Sequence, residues 1–371
     1  MGRRNDSNHT RNYELMAEAS TATNEPQSRI ESYCTVVHER PLCIWSRDLH
    51  KDNLEFLDSL DPTHFEYLAR TFVDDLEGSD DKHASVALRM AYSQGLEALF
   101  GLLCATVQAP ACISAWLLSY KIVDLEEVVR CINQERAVLN DIGLEKSSWR
   151  AVSRFIHQFV PFEPPDRYQS VVEGFASLWR MFAVDFLNEH VRDEYNSIKH
   201  GFRVTLGGFT LKVGIEHEPG VSPPPDEMKT VAASRYGTLY PYAVRIQGDR
   251  ANIFLLSRAR NWSPIDMAKG LRLVSNSMRN VIACLKVLNG VPPDKVQFSW
   301  PADGNEFQAP WANRASFNNA SFDIAPLPES QLQLKTNDQI LDQVKERHTQ
   351  RVAAAKLNDT SGSASSTGAS S

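Results

Sequence analysis

The chain has 371 residues, 42% of them hydrophobic and 23% charged, and its 46 acidic side chains outnumber 39 basic ones for a net charge of −7. That profile excludes a fibrous or wholly disordered protein and offers no whole-chain field to nucleic acid or anionic lipid. Six cysteines without a C-x-x-C pair exclude a disulfide scaffold at this size and fit a reducing, cytoplasmic setting, and the arginine-bearing start lacks the apolar run of a secretory signal.

Residues 1–28 and 358–371 are too polar to offset the entropy of ordering, and both are expected to be disordered. Between them the pattern predicts an α+β protein, predominantly α-helical: a multi-helix body over 29–300 with a small antiparallel sheet, about 202–258, between the longest helix and a later one. An irregular aromatic segment and a tail helix follow over 301–357. No linker is visible before about residue 301, which favours one body.

Asp61-Pro62 offers an N-cap and an N1 proline to a helix carrying Phe65, Leu68 and Phe72, closed by Gly78-Ser79-Asp80. Apolar periodicity continues over about 82–107, 111–120, 123–137, 147–160 and 168–200. The uncharged run from Ala98 to Tyr120 is long enough for a membrane span. Pro110 and Gln108 in its middle, and the absence of basic flanks, make it two buried helices instead.

At Gly201 the period changes. Phe202–Leu206 and Phe209–Val213 flank Gly207-Gly208 and predict a tight hairpin, because its turn needs positive φ. Tyr242–Gln247 and Ala251–Ser257, around Gly248-Asp249, predict a second strand pair. Ser263-Pro264-Ile265-Asp266 starts a helix that Asn289-Gly290 ends. Phe307, Trp311, Phe317 and Phe322 are expected to pack onto the body.

Taken as one helix, 168–200 places Asp185, Glu189, Arg192, Asp193, Asn196 and His200 on one arc and Val184, Leu187, Val191, Tyr195 and Ile198 on the other. The polar arc reads either as a ledge at a cleft or as a solvated face. Around it, residues 192–290 hold 14 basic and 8 acidic side chains, a local excess of six. Arg258 and Arg260 share one strand face with Trp262 just beyond, a set able to hold phosphate and stack on a base.

The run Tyr195-Asn196-Ser197-Ile198-Lys199-His200-Gly201-Phe202-Arg203 resembles the helix end of bacterial HEPN-type proteins (higher eukaryotes and prokaryotes nucleotide-binding domain), a likeness extending over about residues 85–205. The resemblance implies a helical nucleotide- or RNA-binding body. The family's nucleases set an arginine four to six positions ahead of a histidine so that both reach one phosphate. Here seven residues separate Arg192 from His200, and Asp193 stands where the family carries a polar neutral residue. Arg150 and His157 meet the six-residue spacing on another helix, a match that chance supplies.

Glu216-His217-Glu218 sits by an exposed Pro219-Gly220 turn and predicts no metal site, and no phosphate-cradling glycine loop or nucleophile elbow occurs. No cofactor is expected. The leading expectation is a binding module for an anionic partner, RNA or a nucleotide, held by Arg192, Asn196, Lys199, His200, Arg258 and Arg260. The enzyme alternative is a metal-independent ribonuclease in which His200 moves protons and Arg192 stabilises phosphate charge. A third reading is a scaffold that engages a protein partner through the C-terminal segment, or a second copy as a homodimer.

Overall fold

A computed structural model of the protein describes residues 30–160, 165–246, 251–312, 316–317, 320–324 and 333–364. The expected disorder of 1–28, and the turn Gly248-Asp249, lie outside them. The fold is α+β and mostly helical. Ten α-helices occur among the described residues: α1 Leu49–Ser59, α2 His64–Asp75, α3 Asp81–Gln108, α4 Ile113–Ser119, α5 Ile122–Asn133, α6 Trp149–His157, α7 Pro165–Phe186, α8 Glu189–Lys199, α9 Pro264–Leu288 and α10 Asn337–Ala364. The strands are β1 Glu31–Val37, β2 Arg40–Ser46, β3 Thr205–Leu206, β4 Thr210–Val213, β5 Lys229–Ala233, β6 Gly237–Arg245, β7 Ile253–Asn261 and β8 Ser321–Ile324.

The chain divides into two compact units whose segments interleave: residues 1–62, 98–183 and 276–300 form one, and 63–97, 184–275 and 301–371 the other. Three of the boundaries fall inside helices, α3, α7 and α9, where no Pro/Gly-rich linker can mark the division in the sequence.

The first unit is built on aromatic and branched side chains. Trp149 lies 5.5 Å from Phe100 and 6.4 Å from Trp179 between ring centroids, and Trp116, Ile132, Val152 and Leu285 are wholly buried. Gln108 ends α3 and Pro110 keeps α4 separate, as expected of the uncharged run. No helix among the described residues is long and apolar enough to cross a membrane. Two elements were not anticipated: the β1–β2 hairpin and α1, whose Asp48 accepts a hydrogen bond from the Lys51 amide as N-cap. His38 turns the hairpin at φ 59°, and the Gln108 side chain holds it by accepting from the His38 amide and donating to the His38 carbonyl.

The second unit centres on the sheet β3-β6-β7-β8, all antiparallel, with a separate β4–β5 pair. The second expected pair is present and longer than predicted, with Thr238 opposite Arg260 and Arg245 opposite Ile253. The Gly207-Gly208 hairpin is corrected. β3 pairs with β6 and β4 with β5, because the Gly207 amide donates to the Gly237 carbonyl and the Gly208 amide to that of Arg235. A side chain at Gly208 would place its Cβ 2.4 Å from the Ser234 carbonyl oxygen, so glycine serves a close backbone approach here.

The long helix 168–200 is also corrected, to α7 and α8. Asn188 breaks it: its side chain accepts from the His190 and Val191 amides and caps a new helix. Helix α2 begins at His64, with Thr63 rather than Asp61 at its N-cap position. Helix α10 runs to Ala364, seven residues into the tail expected to be disordered, and residues 365–371 lie outside those described. β8 comes from the segment expected to be irregular, where Phe317 and Phe322 pack edge-on against Phe209 and Phe307 is buried.

Candidate functional site

Within the second unit, four elements bring charged side chains into one buried cluster. On α3, Arg89 and Tyr92 stand three residues apart on one face. On α8, which Asn188 caps, Val191, Glu194 and Ile198 are buried. On β7, residues 258 and 260 share a face by the two-residue period, and Trp262 follows. A short 3-10 segment, Gly304–Trp311, adds Pro310 and Trp311.

Glu194 is fully buried and is the hub. Its Oε2 accepts Arg89 Nε at 3.0 Å and Nη2 at 2.8 Å, and its Oε1 accepts the Thr238 hydroxyl at 2.6 Å. The Arg260 Nε lies 3.7 Å from the same Oε2. Burial alone would lower the Arg89 pKa, but the contact with Glu194 outweighs it and the guanidinium is held above its ordinary value. Arg260 goes the other way: burial, then repulsion from Arg89, pull it down by more than the Glu194 and Asp185 carboxylates raise it.

Beside the hub lies a cavity of about 190 Å³, lined by Arg89, Tyr92, Asp185, Arg260, Trp262 and Trp311 among others. Asp185 Oδ2 is saturated, accepting the Tyr92 hydroxyl and Trp311 Nε1 at 2.9 Å each. Arg89 stacks over the Trp262 ring at 5.8 Å. Among the described residues, two donors of the lining have no acceptor: Arg260 Nη1 and Trp262 Nε1 are buried and make no hydrogen bond. Leaving such groups unmade costs about 1–3 kcal/mol each.

The residues expected from the sequence divide between this cavity and the surface. Arg260 is in the lining. Arg258, only 6% exposed, is instead committed to a fork on Asp323 of β8, with Nε 2.5 Å from Oδ1 and Nη2 3.0 Å from Oδ2; it also lies 4.3 Å over the Tyr242 ring and touches His190. That fork raises the Arg258 pKa and lowers that of Asp323, while burial and then Arg258 depress His190. Arg192 is partly exposed and 3.9 Å from Glu189. Asn196 is half-buried, and its carbonyl accepts the His200 amide. Lys199 and His200 are exposed, with the Lys199 ammonium 5.3 Å over the Tyr195 ring.

Sequence reasoning missed Arg89, Glu194 and the pairing of Trp262, and it placed Asp185 on the polar arc without counting it among the ligand-holding residues. A signal for Arg89 and Glu194 existed: Arg89 stands beside the apolar stripe Leu88-Tyr92-Leu96, and Glu194 lies three residues from Val191, on the apolar side of its own helix. Nothing local marks their convergence.

Elsewhere, Arg150 pairs with Glu173 at 2.6 Å, and His157 is buried against Phe175 with its pKa lowered by burial to about 4. His217 bonds Glu227 on an exposed turn, as expected of that segment. In the first unit His38, Glu127 and Cys131 bring three metal-capable atoms within 4.8 Å of one another. Arg130 and Arg136 already bond the Glu127 carboxylate, so a cation would have to displace both. No protein-family model, curated protein or solved structure matches the chain.

Proposed function

We propose that the second unit is a binding module for a small anionic molecule, a carboxylate or an anion of similar size, received in the cavity by Arg260 and Trp262. The observation that carries this reading is the pair of buried donors without acceptors on the lining of one cavity. An anion supplies what the protein lacks there: the Glu194 oxygens are shared among Arg89, Arg260 and Thr238, and Asp185 Oδ2 already accepts from Tyr92 and Trp311. A charged acceptor also relieves the undercompensated Arg260, and charge-assisted hydrogen bonds are the stronger kind. The volume suits a molecule of roughly the size of benzene or a little larger.

This reading narrows the expected anionic partner. A nucleotide exceeds the cavity, and RNA would have to use the exposed end of α8, where Lys199 and His200 lie. For the ribonuclease alternative, eight residue steps from Arg192 to His200 correspond to about 12 Å of helix rise, which does not favour a joint grip on one phosphate.

The test is calorimetry and thermal shift on the full chain with small mono- and dicarboxylates, phosphate, nucleotides and RNA oligomers. A small carboxylate or phosphate should bind with 1:1 stoichiometry. Trp262→Phe, which keeps an aromatic ring but loses the N–H, should weaken binding about tenfold, consistent with one hydrogen bond of about 1.4 kcal/mol. Binding of RNA alone, abolished by Lys199→Ala and unaffected by Trp262→Phe, would overturn the reading.

A further inference from the structure

The exposed face of the β1–β2 hairpin carries a pair of thiols in bonding register, independent of the cavity. Cys34 and Cys43 are direct cross-strand partners, and their sulfurs lie 3.2 Å apart. Both are exposed. Pro41 faces Val36 and has no N–H, so that pair is a non-hydrogen-bonded one; two residues further along, Cys34 and Cys43 have the same parity. Cα atoms in such pairs stand about 4.5 Å apart, inside the range a disulfide spans. The turn holding this register is itself braced, since Gln108 bonds both the amide and the carbonyl of His38.

The remaining cysteines differ: Cys104, Cys112, Cys131 and Cys284 are buried. Burial raises the thiol pKa of Cys104, Cys131 and Cys284 and shields them; the hydrogen bond to Cys34 raises Cys43 as well, so it is exposure that sets the pair apart.

We propose that Cys34 and Cys43 are a reversible dithiol–disulfide site that reacts by exchange with a low-molecular-weight disulfide. One thiolate attacks a sulfur of the small disulfide, forms a mixed disulfide and expels one small thiolate. The second cysteine, after losing its proton, attacks the protein sulfur of that mixed disulfide and expels the other. The protein loses two electrons and two protons, and the small disulfide is reduced to two thiols. Register favours the second step, because the neighbouring sulfur is already in contact. Once formed, the bond ties β1 to β2 across an exposed surface where a reducing thiol can reach it.

The experiment incubates the reduced full-length chain with oxidised glutathione, quenches in acid, alkylates free thiols and measures intact mass and linked peptides. The expected product has lost two hydrogens, carries no glutathione and yields a Cys34–Cys43 linked peptide, and dithiothreitol reverses it without denaturant. Cys34→Ser and Cys43→Ser, both at exposed positions, should each instead retain one glutathione on the remaining sulfur. Wild-type protein that accumulates stable glutathione adducts at these cysteines, or that keeps both thiols alkylatable, would overturn the proposal.

Discussion

Replacing Glu194 probes the buried hub directly. The side chains of Arg89 and Glu194 are 4% and 0% exposed, so water cannot replace a lost partner without a rearrangement. Glu194→Ala removes both bonds from Arg89, the only one from the Thr238 hydroxyl to this carboxylate, and the 3.7 Å ion pair with Arg260. Breaking a buried pair on one side leaves an uncompensated charge and destabilises by about 3–5 kcal/mol. At 1.36 kcal/mol per decade, even the lower figure raises the unfolding constant by roughly a hundredfold. Glu194→Gln keeps an acceptor for Thr238 but loses the charge, and should fall between wild type and Glu194→Ala. Arg89→Met should be similarly damaging alone, because it leaves the carboxylate with Arg260 at longer range. The double variant Arg89→Met with Glu194→Leu should be far less unstable than the sum, with a coupling above about 2 kcal/mol. Equilibrium urea denaturation on wild type, Arg89→Met, Glu194→Leu and the double variant supplies the coupling, with Glu194→Ala and Glu194→Gln measured beside them. Single variants that each cost less than about 1 kcal/mol, with no coupling, would mean that the cluster is hydrated and that the cavity is not built on it.

Other expectations concern separate parts of the chain. His157 is neutral in the folded state, its pKa lowered by burial to about 4 from an ordinary value of 6.5, so the unfolded chain binds the extra proton; stability from this group is complete above pH 6.5 and lost as pH falls toward 4, by about 3 kcal/mol in denaturation at stepped pH, and a flat profile over that window would refute it. Gly270→Ala would place a Cβ 2.6 Å from the Tyr92 ring, and it should lower the melting temperature and weaken ligand binding by shifting a cavity-lining side chain; an unchanged melting temperature would show that the ring yields freely. Asn188→Ala removes the α8 cap and should cost about 1 kcal/mol in thermal denaturation, whereas no change would assign the helix break to another cause. Trp116→Asp buries an unpaired carboxylate at a position with no exposure and should destabilise by several kcal/mol while the protein stays soluble without detergent; recovery only from membranes would defeat the buried-helix account.

Helical class, the break at Pro110, the start of α9 at Ser263-Pro264 and the Tyr242–Ser257 strand pairing are all legible in the sequence, because each rests on interactions within a few residues: a cap, a missing amide, a two-residue alternation. The Ser263 hydroxyl does accept the Asp266 amide, as the local motif requires. Strand partnership at Gly207-Gly208 is different. Those glycines permit a hairpin locally, but the carbonyls of Gly237 and Arg235 compete for the same amides from about thirty residues away, and pairing across such a distance leaves no local trace. The same holds for the cavity. Arg258 and Arg260 look equivalent on one strand face, and only Asp323, brought alongside by β8, engages one of them in a fork while the other keeps an unmatched donor. Glu194 reads as one more charge on a helix, and only the fold brings to its carboxylate the Arg89 guanidinium, 105 residues earlier in the chain. Local propensity therefore settled most of the helices and the β6–β7 pair, whereas the site arose from long-range packing, since a buried charge is tolerated only where distant elements deliver its partner.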